Sequence, residues 1–121
     1  MKKNITLGVV GGRKFHNYAY LELVLDTINR EYGINHIVSG GAEGADTLAV
    51  MWARNHGVGW TVFPPTKRDR DRYEIIRALH RRNLRIALSV EALVAFPDPT
   101  SRGTYSTIRY ASRLGVHYQI F

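Results

Sequence analysis

Five short apolar segments recur along the chain, and each is followed by glycine, proline or polar residues. They have the length of β-strands and are rich in β-branched and aromatic residues. Their apolar residues run almost without interruption, which is typical of strands buried on both faces of a parallel sheet. The predicted strands are residues 5–10, 36–40, 59–65, 92–97 and 116–121.

Longer segments between these strands carry apolar residues at helical spacing. The clearest spans residues 18–33, where Leu21, Leu25 and Ile28 recur every three or four positions, and it ends at Gly33. A glycine at this position is a common helix stop. Further helices are predicted within residues 43–57, 66–89 and 104–115.

Strand and helix patterns alternate along the whole chain, with short connections between them. This alternation predicts an α/β fold whose strands run parallel to one another. Right-handed crossovers then favour a single Rossmann-like, doubly wound parallel sheet of about five strands with helices on both faces. We expect one domain over residues 1–121, with ligands bound beyond the carboxyl ends of the strands.

The amino-acid composition excludes several kinds of functional site. The 121 residues include no cysteine, which excludes a disulfide framework, a thiolate nucleophile and a cysteine-ligated zinc site. The five histidines show no metal-binding spacing, so we expect neither a metal nor a cofactor. The apolar run at residues 5–10 is too short to span a membrane, and we expect a cytoplasmic protein without a membrane segment.

The formal net charge of +7, from 17 basic and 10 acidic residues, favours anionic partners such as nucleotides or nucleic acid. It can equally serve solubility alone. The charge run at residues 67–72 is either a lid over a polyphosphate or a solvated helix start. An arginine stripe beyond it suits a nucleotide phosphate, a nucleic-acid backbone or a subunit contact, and it consists of Arg77, Arg81, Arg82 and Arg85.

Glycine-rich loops follow the first two predicted strands. After the first strand, Gly11 and Gly12 let the backbone approach a ligand, and Arg13 supplies a forked cation suited to phosphate. The loop after the second strand leads into a helix whose first amides and partial positive charge suit an anion. Its candidate ligand-binding residues are Ser39, Gly40, Gly41, Glu43, Gly44 and Asp46, the last either as a helix cap or as a partner for a ribose hydroxyl.

The loop after the fourth predicted strand is a second candidate anion site of the same kind. Arg102, Gly103 and Thr104 lie where the last helix is expected to begin, and Thr104 can alternatively be an ordinary N-cap. Two such helix starts on one rim of a sheet would form a cleft with converging amides. We therefore expect the two loops to act as one site.

These segments, taken in order, resemble the YspA-like family of the SLOG superfamily. The resemblance rests on Val-Val-Gly-Gly-Arg, on Ser-Gly-Gly-Ala-Glu-Gly-Ala-Asp, on the pair Arg82 and Asn83, and on the segment 102–116, and it covers nearly the whole chain. It implies a Rossmann-like domain that binds a nucleotide or nucleotide-derived small molecule. It also implies that relatives form homo-oligomers. The implicated residues are Gly11, Gly12, Arg13, Ser39, Gly40, Gly41, Ala42, Gly44, Asp46, Arg82, Asn83, Gly103 and Thr104.

The superfamily includes the "Lonely Guy" phosphoribohydrolases, and this chain departs from their pattern at one decisive place. Their motif carries a glutamate that acts on the ribose, whereas the corresponding position here is Thr107. A glycosidic mechanism needs a carboxylate to stabilise positive charge or to activate water. Glu43 and Asp98 could approach a sugar, but acids at a helix start or in a loop are more often simply solvated.

Three functions therefore remain open from the sequence. The first is a sensor or sequestering protein that binds a nucleotide-derived molecule, without any catalytic residue. The second is an enzyme that cleaves the N-glycosidic bond of a nucleoside monophosphate, which the missing glutamate disfavours. The third is a nucleic-acid-binding module, which the net charge and the arginine stripe favour, with the DNA-processing protein of the superfamily as an analogy.

Overall fold

The computed structural model describes residues 4–64 and 72–121. Strands and helices alternate through both ranges, as the sequence pattern predicts. The elements in chain order are β1 (Ile5–Gly11), α1 (Tyr18–Tyr32), β2 (Ile34–Ser39), α2 (Ala45–Asn55), β3 (Gly59–Val62), α3 (Arg72–Leu88), β4 (Ala92–Phe96), α4 (Arg102–Arg113) and β5 (His117–Ile120).

The five strands form one parallel sheet in the order β3-β2-β1-β4-β5. The chain starts at the centre, winds outward through β2 and β3, and then crosses back to β4 on the other side of β1. The predicted Rossmann-like, doubly wound sheet is thereby confirmed. The strand order reverses between β1 and β4, which is where such sheets bind ligands.

Two helical layers cover the sheet, and alternate residues of the central strands point to each. Leu7 and Val9 of β1 pack with α1 and α2, in a core that also contains the fully buried Trp52. Val10 packs in the second core, which α3 and α4 complete with Ile86 and Ile108. Burial on both faces explains why the central strands read as continuous apolar runs.

Two helix starts differ from the sequence prediction. The fourth helix begins at Arg102 rather than at residue 104, with Ser101 as its N-cap, so Thr104 lies inside the first turn and is not the cap. The second helix begins at Ala45, after Gly44.

The charge run at residues 67–72 lies outside the described residues, apart from the backbone of its last residue. Among the described helices, none is long and apolar enough to cross a membrane.

Candidate anion-binding site

A cleft of about 320 Å³ opens at the carboxyl edge of the sheet, over the switch between β1 and β4. The loops after β1, β2 and β4 line it together with α3. Ser39, Gly41, Glu43 and Gly44 do not contribute to its wall. The predicted residues that line the cleft are Gly11, Gly12, Arg13, Gly40, Ala42, Asp46, Arg82, Asn83, Arg102, Gly103 and Thr104.

The loop after β1 is held against the loop after β4 so closely that only glycine fits. The amide of Gly12 donates to the carbonyl of Phe96 at 3.0 Å. A Cβ on Gly12 would overlap the carboxylate of Asp98, and one on Gly11 would overlap the Phe96 carbonyl and Ala45. These glycines therefore allow close packing of backbone and side chains, and they bring Arg13 to the rim of the cleft.

The loop after β2 packs against Gly12 in the loop after β1. Gly44 has a φ of 80°, and a Cβ there would overlap the carbonyl oxygen of Gly12. The amide of Ala45 donates to that same oxygen at 3.3 Å, and the amide of Ala42 donates to Asp46 Oδ2 at 3.1 Å. Two of the amides expected to face an anion at the start of α2 are therefore already bound within the protein.

Gly41 and Ser39 lie apart from the cleft wall. Gly41 has a φ of 75°, and its α-carbon packs toward Val62 of β3. The side chain of Ser39 is fully buried, and its Oγ has no hydrogen-bond partner in the described part of the chain. Ser39 thus lies buried beneath the loop, Gly41 lies exposed on its β3 side, and neither residue lines the cleft.

We predict that Gly44→Ala destabilises the protein, whereas Gly103→Ala does not, since alanine is the better helix former at a position inside α4. At position 44 a Cβ meets two backbone carbonyls in a left-handed conformation, which together cost about 2 kcal/mol or more. At position 103 nothing lies within 4 Å of an added Cβ. Urea denaturation of both variants measures the difference. Equal stability of the two would contradict the packing described for the three loops.

The start of α4 presents unused backbone donors to the cleft. The Asp98 amide donates to Ser101 Oγ at 2.7 Å, and the Ser101 amide donates to the Asp98 carbonyl at 3.2 Å. No hydrogen bond engages the amides of Gly103 and Thr104 within residues 4–64 and 72–121. Both residues line the cleft, so the N-terminal partial charge of this helix is available to an anion.

Asp98 holds this loop in place, which assigns it a structural role. Its Oδ1 accepts from both the amide and the hydroxyl of Thr100 at 2.7 Å, and its Oδ2 accepts from the Lys14 amide at 2.9 Å. The Thr100 hydroxyl and these two amides lower the pKa of Asp98 to about 2. The sequence Asp-Pro-Thr-Ser is typical of an Asx turn, and this signal could have identified the role of Asp98 and Ser101 in advance.

Arg82 joins α3 to the loop after β2. Its Nη1 donates to the Gly40 carbonyl at 2.6 Å, and its Nε donates to Asn83 Oδ1 at 2.8 Å. Burial lowers the pKa of Arg82, the nearby Asp46 carboxylate opposes that change, and Arg13 adds to it. The half-buried guanidinium therefore brings positive charge to the cleft wall, while Arg13 and Arg102 are exposed at its rim.

Asp46 is a buried carboxyl group in the wall of the same cleft. It is only 4% exposed, and its Oδ1 has no hydrogen-bond partner among the described residues. Burial raises the pKa of Asp46 to about 6, although the Ala42 amide and the charge of Arg82 act in the opposite direction. The ionised form is therefore disfavoured by folding.

We predict that Asp46→Asn stabilises the protein at neutral pH but not in acid. Because folding raises the pKa of this carboxyl from 3.8 to about 6, its effect on stability is most favourable below pH 3.8 and is lost as the pH rises through about 6. At neutral pH the burial of the ionised Asp46 carboxylate therefore lowers the free energy of unfolding by about 3 kcal/mol. Denaturation of the wild type and the variant at about pH 4 and about pH 7.5 measures it. A stability gap that does not change with pH would contradict the burial of this carboxylate.

A second, larger groove lies away from the cleft, and its lining is apolar and acidic rather than cationic. It measures about 680 Å³ and runs between α1 and the strands β4 and β5. Its walls are mostly apolar, with contributions from Tyr20, Leu23 and Phe121, and its charged lining residues Glu31 and Glu91 are acidic. Cations and free helix amides converge in the smaller cleft, which is therefore the candidate site for an anion.

The fold and the cleft together define an α/β domain of the Rossmann-like class with an arginine-lined cleft at its switch point. The chain belongs to the YspA, cpYpsA-related SLOG family, whose family model matches residues 8–69. That match includes the loops after β1 and β2 and therefore half of the cleft.

A solved structure supports the same fold beyond the matched segment. The chain is similar to DNA processing protein A from Streptococcus pneumoniae, with a TM-score of 0.56 and 18% sequence identity. The similarity covers 97% of this chain and 59% of that protein, so the chain spans about three-fifths of that protein's length. At this identity the likeness shows a shared fold. None of the curated proteins matches the sequence.

Proposed function

We propose that the cleft binds a nucleotide or a nucleotide-derived small molecule through its phosphate, and that the protein acts as a sensor or a sequestering protein. The observation that carries this proposal is that no hydrogen bond engages the amides of Gly103 and Thr104 in the described part of the chain, in a cleft also lined by Arg13, Arg82 and Arg102. Backbone donors at a helix start and arginine side chains are the groups that proteins use to hold phosphate.

The dimensions of the cleft favour a compact ligand. Its volume of about 320 Å³ is at the lower end of the range for small-molecule pockets, which suits a mononucleotide better than a dinucleotide. Asn83 lies in the wall and is 3% exposed; its Oδ1 accepts from Arg82, and its side-chain NH₂ is left to donate to a ligand. Val10 and Ile86 add an apolar wall against which a base or sugar can pack.

Binding without turnover agrees best with the groups in the wall. Thr107 occupies the position of the catalytic glutamate of the phosphoribohydrolases, and its Oγ1 donates to the Gly103 carbonyl at 3.1 Å. The carboxylate among the lining residues is that of Asp46, which is almost fully buried. A glycosidic mechanism requires accessible carboxylates, so we favour a binding protein. Membership of the SLOG family supports a nucleotide-related role.

We predict that Arg13→Ala and Arg102→Ala each weaken the binding of adenosine monophosphate about tenfold or more, because each removes a charge-assisted hydrogen bond to phosphate. Arg30→Ala is the matched control, since this exposed arginine of α1 lies outside the cleft. Isothermal titration calorimetry with adenosine monophosphate, ADP-ribose and inorganic phosphate measures the affinities. Unchanged affinity in both cleft variants would refute the assignment.

Prolonged incubation of the protein with adenosine monophosphate distinguishes a binding protein from a hydrolase. We expect adenosine monophosphate to be recovered intact, since no exposed carboxylate lines the described cleft. Chromatography of the nucleotide after prolonged incubation detects any free adenine. Release of adenine that is lost in Arg13→Ala would replace the proposed function with the phosphoribohydrolase reaction.

A further inference from the structure

The charges of the protein are divided between its two helical layers. The layer formed by α1 and α2 carries the acids Glu22, Asp26, Glu31 and Asp46 and the arginines Arg30 and Arg54. In the layer formed by α3 and α4, the described side chains include one acid, Glu74, and the seven arginines Arg77, Arg81, Arg82, Arg85, Arg102, Arg109 and Arg113.

Most of these arginines lie on the outer surface of that layer. Arg81 and Arg85 of α3 are exposed, and so are Arg109 and Arg113 of α4, each pair at four-residue spacing. Residues at this spacing share one face of a helix. We call the surface formed by these four residues the α3–α4 arginine face.

The two helices pack against each other, so their exposed arginines lie on the same helical layer. A hydrogen bond of 3.3 Å joins Ser106 Oγ of α4 to His80 Nδ1 of α3, and both helices contribute to the same core. Packed helices lie about 8–10 Å apart. The two pairs of arginines are therefore within reach of one extended anionic partner.

Among the described residues, no acidic side chain neutralises the arginine face. No ion pair connects any of its four residues to an acid within the described ranges. Arg85 Cζ lies 4.6 Å from the centroid of the Phe63 ring, which is a cation–π contact and not an ion pair. Solubility needs charges of both signs mixed over a surface. The concentration of arginines on α3 and α4 instead creates a local positive electrostatic field.

The chemistry of this face fits nucleic acid better than a membrane. An interfacial helix inserts a continuous apolar face into lipid. In α3 and α4, Ile86 and Ile108 are buried in the core, and the exposed apolar side chains of Ile76, Leu88 and Tyr105 alternate along the helices with exposed arginines. The cations are all arginine, whose planar fork matches phosphate oxygens. We infer that the α3–α4 arginine face binds the phosphodiester backbone of a nucleic acid, as a surface separate from the nucleotide cleft.

The test compares two double variants that have the same net charge. Arg81→Ala/Arg109→Ala removes one residue from each helix of the face, and Arg30→Ala/Arg54→Ala removes two exposed arginines from the opposite layer. Fluorescence anisotropy measures the binding of a labelled oligonucleotide of about 20 nucleotides, single-stranded and duplex, over a salt series. The salt slope reports how many phosphates the protein neutralises.

We expect the first pair of substitutions to weaken binding at least tenfold. We also expect it to lower the salt slope by about 1.4 for a single strand or about 1.8 for a duplex, which corresponds to two lost phosphate contacts. The second pair should leave both quantities unchanged. An equal loss in the two double variants would overturn the proposal, since it would show a general charge effect. Binding to phosphatidylserine vesicles without binding to either oligonucleotide would also overturn it.

A third variant separates this surface from the cleft. If Arg13→Ala abolishes oligonucleotide binding, or excess adenosine monophosphate displaces the oligonucleotide, the strand occupies the cleft and the inference fails. If Arg13→Ala retains oligonucleotide binding, the arginine face is supported. Failure of the wild type to bind adenosine monophosphate contradicts the proposed function alone, because the arginine face does not depend on the cleft.

Discussion

The contact between the loop after β1 and the start of α2 is the constraint on which the cleft depends. The Gly12 carbonyl accepts the Ala45 amide, and Gly44 leaves no room for a side chain between them. This contact fixes two loops of a parallel sheet against each other at the strand-order switch. Asp98 then fixes the loop after β4 to the loop after β1 through the Lys14 amide. The cleft is thus bounded by backbone that is held in place before any ligand arrives.

The buried charges of the cleft follow from that arrangement. Asp46 lies in the first turn of α2 and accepts the Ala42 amide, so this carboxylate ties the loop after β2 to the start of the helix. Arg82 offsets this buried negative charge from α3 while donating to the Gly40 carbonyl. At the start of α2, the Ala45 amide is already bound to the Gly12 carbonyl. At the start of α4, no hydrogen bond engages the amides of Gly103 and Thr104 within the described residues.

The sequence predicted the fold because its signals are local and repeated. Uninterrupted apolar runs and glycine helix stops such as Gly33 define the elements, and the handedness of crossovers restricts their order. Most of the candidate residues reach the wall of one cleft for the same reason, since carboxyl ends of parallel strands meet at one edge. The sequence could not show which glycines face the cavity, because Gly41 and Gly44 serve backbone conformation and close packing. Those roles depend on neighbours distant in the chain, such as Val62.

The central claim is that the free amides at the start of α4 bind a phosphate. Amide resonances in a ¹H–¹⁵N correlation spectrum, followed during titration with adenosine monophosphate, test it most directly. The account predicts large, saturable downfield shifts of the Gly103 and Thr104 amide protons, with the Ala45 amide affected much less because it is bound to Gly12. Saturable shifts confined to the apolar groove around Tyr20 and Leu23, with Gly103 and Thr104 unmoved, would contradict it.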